Sequence, residues 1–238
     1  MDERTRRSRY QDVREGLPEL FVNPPGAPVE ILLDPSDVAA AERSAADDLA
    51  RVGLPASWGE TGVVYMDPFV MVLRDAVRTP LGALGTYSRT VNAGNAPGVV
   101  VLPCYRGSVV LLRHFRHSTR SWHLEVPRGF GTPGGNAADD ARRELLEEIG
   151  VPAARIEPLG LMFPDTGQSA TEVHLFHAEI DDEPRIGDPA EGIDEVRLVT
   201  AAELAALIRD GAITDGFTMA AFTRALLRGV LRGIDLSA

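Results

Sequence analysis

Glu144, Glu147 and Glu148 fall within five consecutive residues of Arg143-Glu144-Leu145-Leu146-Glu147-Glu148. Carboxylates this dense suit a divalent cation, because hard ions prefer oxygen ligands. A helix over Asn136 to Ile149 is expected, with Asn136 capping its free amides. At about 100° per residue, Ala138, Leu145, Leu146 and Ile149 gather on one side and Asp140, Glu144, Glu147 and Glu148 on the other. The apolar side would pack on a sheet and leave the acids open. A solvated acidic face is the plain alternative. Two local penalties argue against it: Glu144 and Glu148 repel at i,i+4, and Glu147 and Glu148 sit in the last turn, where the helix dipole disfavours negative charge. Each costs roughly a few tenths of a kcal/mol when exposed. A bound Mg²⁺ or Mn²⁺ reverses both signs, and Arg143 would be the counter-charge that orients the glutamates.

The run extends into a longer pattern. Gly129, Arg143, Glu144, Leu145, Glu147, Glu148, Gly150 and Val151 match eight of the nine defined positions of G-x5-E-x7-R-E-U-x-E-E-x-G-U. The stretch closely resembles the Nudix box. The departure is Gly135, which stands where the box has its first glutamate. The resemblance implies Glu144 and Glu148 as main metal ligands, Glu147 assisting, and the carbonyl of Arg128 or Gly129 completing the shell. Asp140, one turn before Glu144, either substitutes in part for the missing glutamate or is an acid favoured in the first turn by the dipole.

The similarity continues outside the box. Pro80-Leu81-Gly82, Leu111 to His117 and Leu124-Glu125-Val126-Pro127-Arg128-Gly129 look like the ADP-ribose pyrophosphatase branch, with its P-x-G turn, its L-(V/L)-R-Q-Y-R strand and its E-(L/V)-P-A-G segment. Downstream, Phe163 to Ser169, His174 to Ala178 and Asp210 to Asp215, with Thr218, resemble its later segments. Coverage is roughly residues 62 to 231. Arg128 replaces a small residue, Phe130-Gly131 follows, and His114 replaces a glutamine. A loop altered beside the metals implies altered substrate geometry.

In that branch a glutamate from the loop before the last strand acts as general base. Glu191 is the candidate here, with Glu195 the alternative. Arg116 shares a strand face with His114; by resemblance it touches the diphosphate, and an ion pair with Glu125 is the competing reading. Arg128 is a second phosphate candidate. Phe130 and Trp122 either stack on a base or belong to the core, and Met162 and Phe163 share that ambiguity. His114, His117 and His123 are close in sequence, but with no cysteine among them they read as strand-packing or surface residues rather than a zinc set.

These residues need a scaffold. The first 29 residues are polar, with a turn at Pro24-Pro25-Gly26, and read as an arm or extended cover; a helix follows over Val38 to Val52. Strands are expected near Val63-Tyr65, Phe69-Leu73, Leu84-Val91, Val99-Pro103, Ser108-Phe115 and Trp122-Val126. A glycine-rich loop, Arg128 to Gly135, enters the acidic helix. Strands at Pro158-Phe163, Glu172-Ile180 and Glu195-Val199 precede helices at Ala201-Arg209 and Gly216-Gly233. The fold class is α+β: the resemblance implies a Nudix α/β/α sandwich with a mixed sheet, spanning 99–238. Before it come an N-terminal extension of arm and helix (1–61) and strands (62–98) that would serve dimerisation.

The bulk numbers set limits. With 238 residues and 44% hydrophobic content the chain can bury a substantial core. Lys and Arg number 24 against 35 Asp and Glu, a net charge of −11, which argues against holding nucleic acid or an anionic membrane surface. No apolar h-region follows the arginines near the N-terminus, so no secretory signal is expected, and nothing approaches the ~18 apolar residues of a transmembrane helix. The single Cys104, in an apolar stretch, reads as a buried thiol and fits a reducing cytoplasm.

The expected activity is thus hydrolysis of a diphosphate bond in ADP-ribose or a related nucleoside-diphosphate sugar, by a homodimer with Mg²⁺ or Mn²⁺. The alternatives are a non-catalytic Nudix fold that binds a nucleotide metabolite, which Gly135 keeps open, and a phosphatase specific to one phosphorylated intermediate.

Overall fold

The computed structural model describes residues 3–231. They form two compact units: residues 3–95 with 165–171, and residues 96–164 with 172–231. No described helix is long and apolar enough to cross a membrane.

The first unit begins with helix α1 (Glu3–Gly16), where an extended arm was expected. The helix has few apolar residues of its own, and its order comes from tertiary partners. Val13 joins the core of Phe21, Val63, Met71, Leu73 and Val91, with Tyr10 packed beside it. Tyr10 Oη donates to Asp75 Oδ1 at 2.5 Å, and Arg6 Nε donates to the Thr61 carbonyl at 3.0 Å. Strand β1 (Glu30–Leu32), also unexpected, leads into α2 (Pro35–Arg51). Asp34 caps α2 by accepting from Ser36 N, and Pro35 occupies the first turn, where its missing N–H is harmless. Strands β2 (Gly62–Met66), β3 (Val70–Arg78) and β4 (Leu84–Asn92) follow. β1 and β2 share one edge of β3, β4 lies on the other, and all pairings are antiparallel. The loop 165–171 joins this unit: Thr90 N donates to Gln168 O at 2.7 Å and Ala170 N to Thr90 O at 3.0 Å.

In the second unit, β5 (Gly98–Tyr105) is buried at every residue, as expected of a central strand. β6 (Ser108–Arg116), β7 (Ser121–Glu125), β8 (Arg128–Phe130), α3 (Ala137–Ile149), β9 (Arg155–Met162), β10 (Val173–Ile180), β11 (Ile193–Val199), α4 (Ala201–Arg209) and α5 (Gly216–Leu227) complete it. The expected last helix, to Gly233, stops short at Leu227: Arg228 caps it and Gly229 turns the chain at φ 68°, while residues 232–233 lie outside the described residues. Strand order is β11-β6-β5-β10-β9, with β5 and β10 parallel and the other pairs antiparallel, so the sheet is mixed. One face packs on α3 through Val99, Val101, Val110, Leu112 and Phe176; the other packs on α4 and α5 through Val100, Leu102, Leu111 and Leu175. This is an α/β/α sandwich.

One feature of the sheet positions the site. β5 and β6 pair only at Cys104–Val109 and Tyr105–Ser108, then diverge. β7 pairs with the far half of β6, β8 pairs with Gly98–Val100 of β5, and Val101 N donates to the Pro127 carbonyl at 2.9 Å. The segment joining β7 to β8 fills the wedge between β5 and β6. The glycine-rich stretch is therefore a strand where it enters this wedge, and a loop only from Gly131.

Candidate active site

Helix α3 carries the acidic run, but its faces differ from the expected division. Asp140, Ala141, Glu144, Leu145, Glu148 and Ile149 are buried, while Leu146 is 54% exposed. Successive positions on the wheel explain this: 140, 144, 148, 141, 145 and 149 form one continuous arc, and 146 lies beyond its edge. The acids are not on a face opposite the core; three of them form its flank. Glu147 lies outside the arc and is exposed.

Close backbone approach makes room for the carboxylates. A Cβ on Gly129 would lie 2.2 Å from the carboxyl carbon of Glu144, so only glycine lets that side chain lie against β8. Glu148 Oε2 accepts from Arg128 N at 3.1 Å. Arg143 ties the group together, with Nη1 2.8 Å from both Glu144 Oε1 and Glu147 Oε2 and Nη2 donating to the Phe130 carbonyl at 2.8 Å.

Burial is the largest influence on both inner glutamates. It raises the Glu144 carboxyl above its usual range; Arg143 opposes the rise, and the charges of Glu147 and Glu191 add to it. Glu148 is pushed up to about 8 by burial, against the Arg128 amide and the Arg116 charge, with Glu144 and Glu125 adding to the rise. Among the described residues Glu148 has no ion-paired base. Two adjacent, largely desolvated carboxylates that resist ionisation fit a divalent cation, which would supply the missing positive charge. Among the described residues no three His, Cys, Asp or Glu side chains already converge as a complete metal cluster.

The loop before α3 is braced by Asp140. Its Oδ2 accepts from Thr132 N at 2.9 Å and its Oδ1 from Thr132 Oγ1 at 2.7 Å. Gly135 has no space for a side chain: a Cβ there would come within 2.9 Å of Thr132 Cβ and 3.0 Å of the Thr132 carbonyl. Asp140 lies in the first turn of α3, where the helix dipole favours an acid, and it braces the loop as well.

Behind β8 lies a second ionic group. Glu125, 1% exposed, contacts Arg116 and lies 3.1 Å from His114 Nδ1 and 3.5 Å from Arg128 Nη2. Burial alone would raise its carboxyl, but His114, Arg116 and Arg128 outweigh it and hold it at about 2. Arg116 thus makes the ion pair with Glu125 that sequence reasoning held as one of two readings, and its charge also reaches Glu148. His114 and Arg116 contact Glu125 without hydrogen-bond alignment, which leaves His114 Nδ1 and Arg116 Nη2 short of an aligned acceptor. Arg128 also lies 3.6 Å from Asp215 Oδ1, with its guanidinium 4.7 Å from the centre of the Phe217 ring. Asp215 caps α5 by accepting from Thr218 N and Oγ1 at 2.8 and 2.7 Å, and Thr218 Oγ1 takes the Val126 amide at 3.0 Å. This pin between α5 and the wedge was not foreseen, and only the spacing Asp215-x-x-Thr218 hinted at it.

Glu191 lies on an exposed turn just before β11 and its charge reaches Glu144, whereas Glu195 is exposed on β11 opposite Arg113. Phe130 is 54% exposed on β8. Trp122 packs edge-on against Phe115 under the Arg113 guanidinium. Met162 packs against the core, while Phe163 is exposed. The histidines do not converge: His114 is buried beside Glu125, His117 contacts Arg120, and His123 contacts Thr119 and Ser121. Cys104 is buried, and burial chiefly, with Glu179, pushes its thiol up to about 12.

The NUDIX domain model matches residues 94–220, more than half of the chain, and spans the wedge, α3 and the Glu191 turn together. The chain belongs to the Nudix family. It is 27% identical over 164 residues to a protein named GDP-mannose pyrophosphatase from Pectobacterium atrosepticum, covering 65% of this chain and 84% of that one. A protein of the same name from Yersinia enterocolitica is also 27% identical, over 148 residues, with 58% and 77% covered. A solved structure described as an ADP compounds hydrolase superposes with a TM-score of 0.63 over 73% of this chain and 95% of its own, at 21% identity, which speaks to the fold alone. The Nudix α+β fold with a mixed sheet, preceded by a region of strands and helices, is thereby established.

Proposed function

We propose that this protein hydrolyses the diphosphate bond of a nucleoside-diphosphate sugar, ADP-ribose or a relative such as GDP-mannose, releasing a nucleoside monophosphate and a sugar phosphate. The observation that carries the reading is the pairing of Glu144 and Glu148, buried side by side against Gly129 and Arg128 with too little positive charge around them. Glu144 and Glu148, with Glu147 and the Gly129 carbonyl beside them, would hold Mg²⁺ or Mn²⁺. When bound, the cation neutralises charge that builds on the diphosphate.

The rest falls to the chain's own residues. Arg143 fixes the glutamate rotamers through its contacts to Glu144, Glu147 and the Phe130 carbonyl. Glu191, exposed and within electrostatic reach of Glu144, takes a proton from the attacking water as general base. Arg116, whose ion pair among the described residues is with Glu125, keeps part of its guanidinium exposed and would offer it to a phosphate, a planar contact that a guanidinium suits. Arg128 shares Glu125 with Arg116 and reaches Asp215 at the start of α5. Exposed Phe130 offers a ring to the base or sugar.

The test is a panel of ADP-ribose, GDP-mannose, other sugar nucleotides, dinucleotides and nucleoside triphosphates, each with Mg²⁺ or Mn²⁺, scored for the monophosphate released. Turnover confined to sugar nucleotides is expected. Tight binding of one compound with no turnover of any would overturn the hydrolase reading in favour of a binding protein.

A further inference from the structure

Glu191 sits in a segment with almost no buried side chains, yet a general base must be held to a fraction of an ångström. Two main-chain anchors flank it. On the far side, Phe115 N of β6 donates to the Gly192 carbonyl at 3.0 Å. On the near side, three amides of one short stretch donate to successive carbonyls of the last turn of α3: Arg185 N to Ile149 O at 3.0 Å, Gly187 N to Glu148 O at 3.1 Å and Asp188 N to Glu147 O at 2.7 Å. Those carbonyls have no partner within the helix, so the stretch satisfies them and is fixed by them. Asp188 then starts the turn, its side chain accepting from Ala190 N at 2.8 Å and its carbonyl from Glu191 N at 3.2 Å. Only Pro189 and Ala190 separate Asp188 from Glu191.

The near anchor depends on Gly187. A Cβ built there would lie 2.0 Å from the Glu147 carbonyl oxygen, 2.8 Å from its carbon and 3.1 Å from Gly150 N. These are backbone atoms of a packed helix end and cannot rotate aside. A methyl group would have to drive the stretch and α3 apart by about 1 Å, with Glu191 at the displaced end.

We propose that Gly187 is a positioning residue: its missing side chain lets the Glu191 turn be bonded directly to the helix that carries Glu144 and Glu148, so base and metal ligands keep one geometry. The inference rests on the proposed role of Glu191. The experiment is steady-state kinetics on wild type, Gly187→Ala, Glu191→Gln and the double variant, with the wild-type substrate from the panel and melting followed in parallel. Gly187→Ala should lower kcat about 10- to 100-fold with KM changed less than about threefold. In the Glu191→Gln background it should cost nothing further, because a residue that acts only through Glu191 has nothing left to position. Arg185→Pro removes one of the three donors without adding bulk at 187; it should lower kcat in the same sense but less, and decides the matter if Gly187→Ala fails to fold. Wild-type kcat in Gly187→Ala or, if that variant is unfolded, in Arg185→Pro overturns the proposal alone, as do losses that multiply in the double variant. An unimpaired Glu191→Gln overturns it through the base assignment. Absence of wild-type turnover removes the hydrolase reading and the proposal with it.

Discussion

Replacing Glu148 by glutamine should stabilise the metal-free protein at alkaline pH while abolishing turnover. The Glu148 carboxyl is raised from 4.5 to about 8, chiefly by burial, so the folded protein keeps a proton there that the unfolded chain has already lost. Below about pH 4.5 both states are protonated and the group contributes nothing. Between about 4.5 and 8 the unfolded state gains on the native one by about 1.4 kcal/mol per pH unit. Above about 8 the full penalty applies, on the order of 5 kcal/mol by that slope and less once water and neighbouring groups relax. Glutamine has the same shape, can still accept from the Arg128 amide, and carries no charge to desolvate. Urea denaturation with a chelator present should therefore find wild type losing stability from pH 5 to pH 8.5 relative to Glu148→Gln, by about 2–5 kcal/mol. Adding Mg²⁺ at pH 8.5 should restore wild type and leave the variant unmoved. Parallel stability curves for the two proteins across that range would refute the reasoning, since Glu148 would then ionise as freely in the fold as outside it.

Other residues give further tests. Glu125→Gln takes the carboxylate from half-buried Arg116 and Arg128, of which Arg128 keeps Asp215, and should destabilise the protein by about 3 kcal/mol in urea; because the Glu125 carboxyl is held at about 2, its contribution in wild type should be complete above about pH 4.5 and vanish as pH falls toward 2. A midpoint unchanged in the variant at pH 7 would show that the arginines find water instead. Gly129→Ala should evict the Glu144 carboxylate, lowering both kcat and Mg²⁺ affinity measured by calorimetry, kcat by about 100-fold or more; full activity would mean that β8 moves aside at no cost. Thr218→Val strips the Val126 amide and Asp215 of a partner, and a loss of about 1–3 kcal/mol is expected. An unshifted urea curve there would remove the pin from the account.

The parts of the site that could be read from the sequence are the local ones. Glu144, Glu147, Glu148 and Arg143 lie on a single helix, so spacing alone relates them, and Asn136 marks its start as a cap residue. The strands around the apolar runs were legible for the same reason. Contacts set by pairing were less so. The Arg116–Glu125 pair was foreseen only as one of two readings, because it depends on the register that sets Arg116 opposite Ser121 and Leu112 opposite Glu125. Leu146 was misassigned because a wheel orders residues but does not say where the buried arc ends, and here the arc extends over the acids instead. Helix α1 escaped notice because Thr61 and Asp75, which hold Arg6 and Tyr10, lie more than fifty residues away. Thr132 carries no signal at all until Asp140 is seen to bond it.

That last bond alters how the site behaves mechanically. A loop braced from outside the helix could drift while the ligands stayed put. With Asp140 holding Thr132, and Glu144 and Glu148 one and two turns further along, the entrance loop and the acids ride on one rigid rod. Any roll of α3 about its axis moves the rim and the floor of the site in concert, so misalignment is shared rather than opened as a gap.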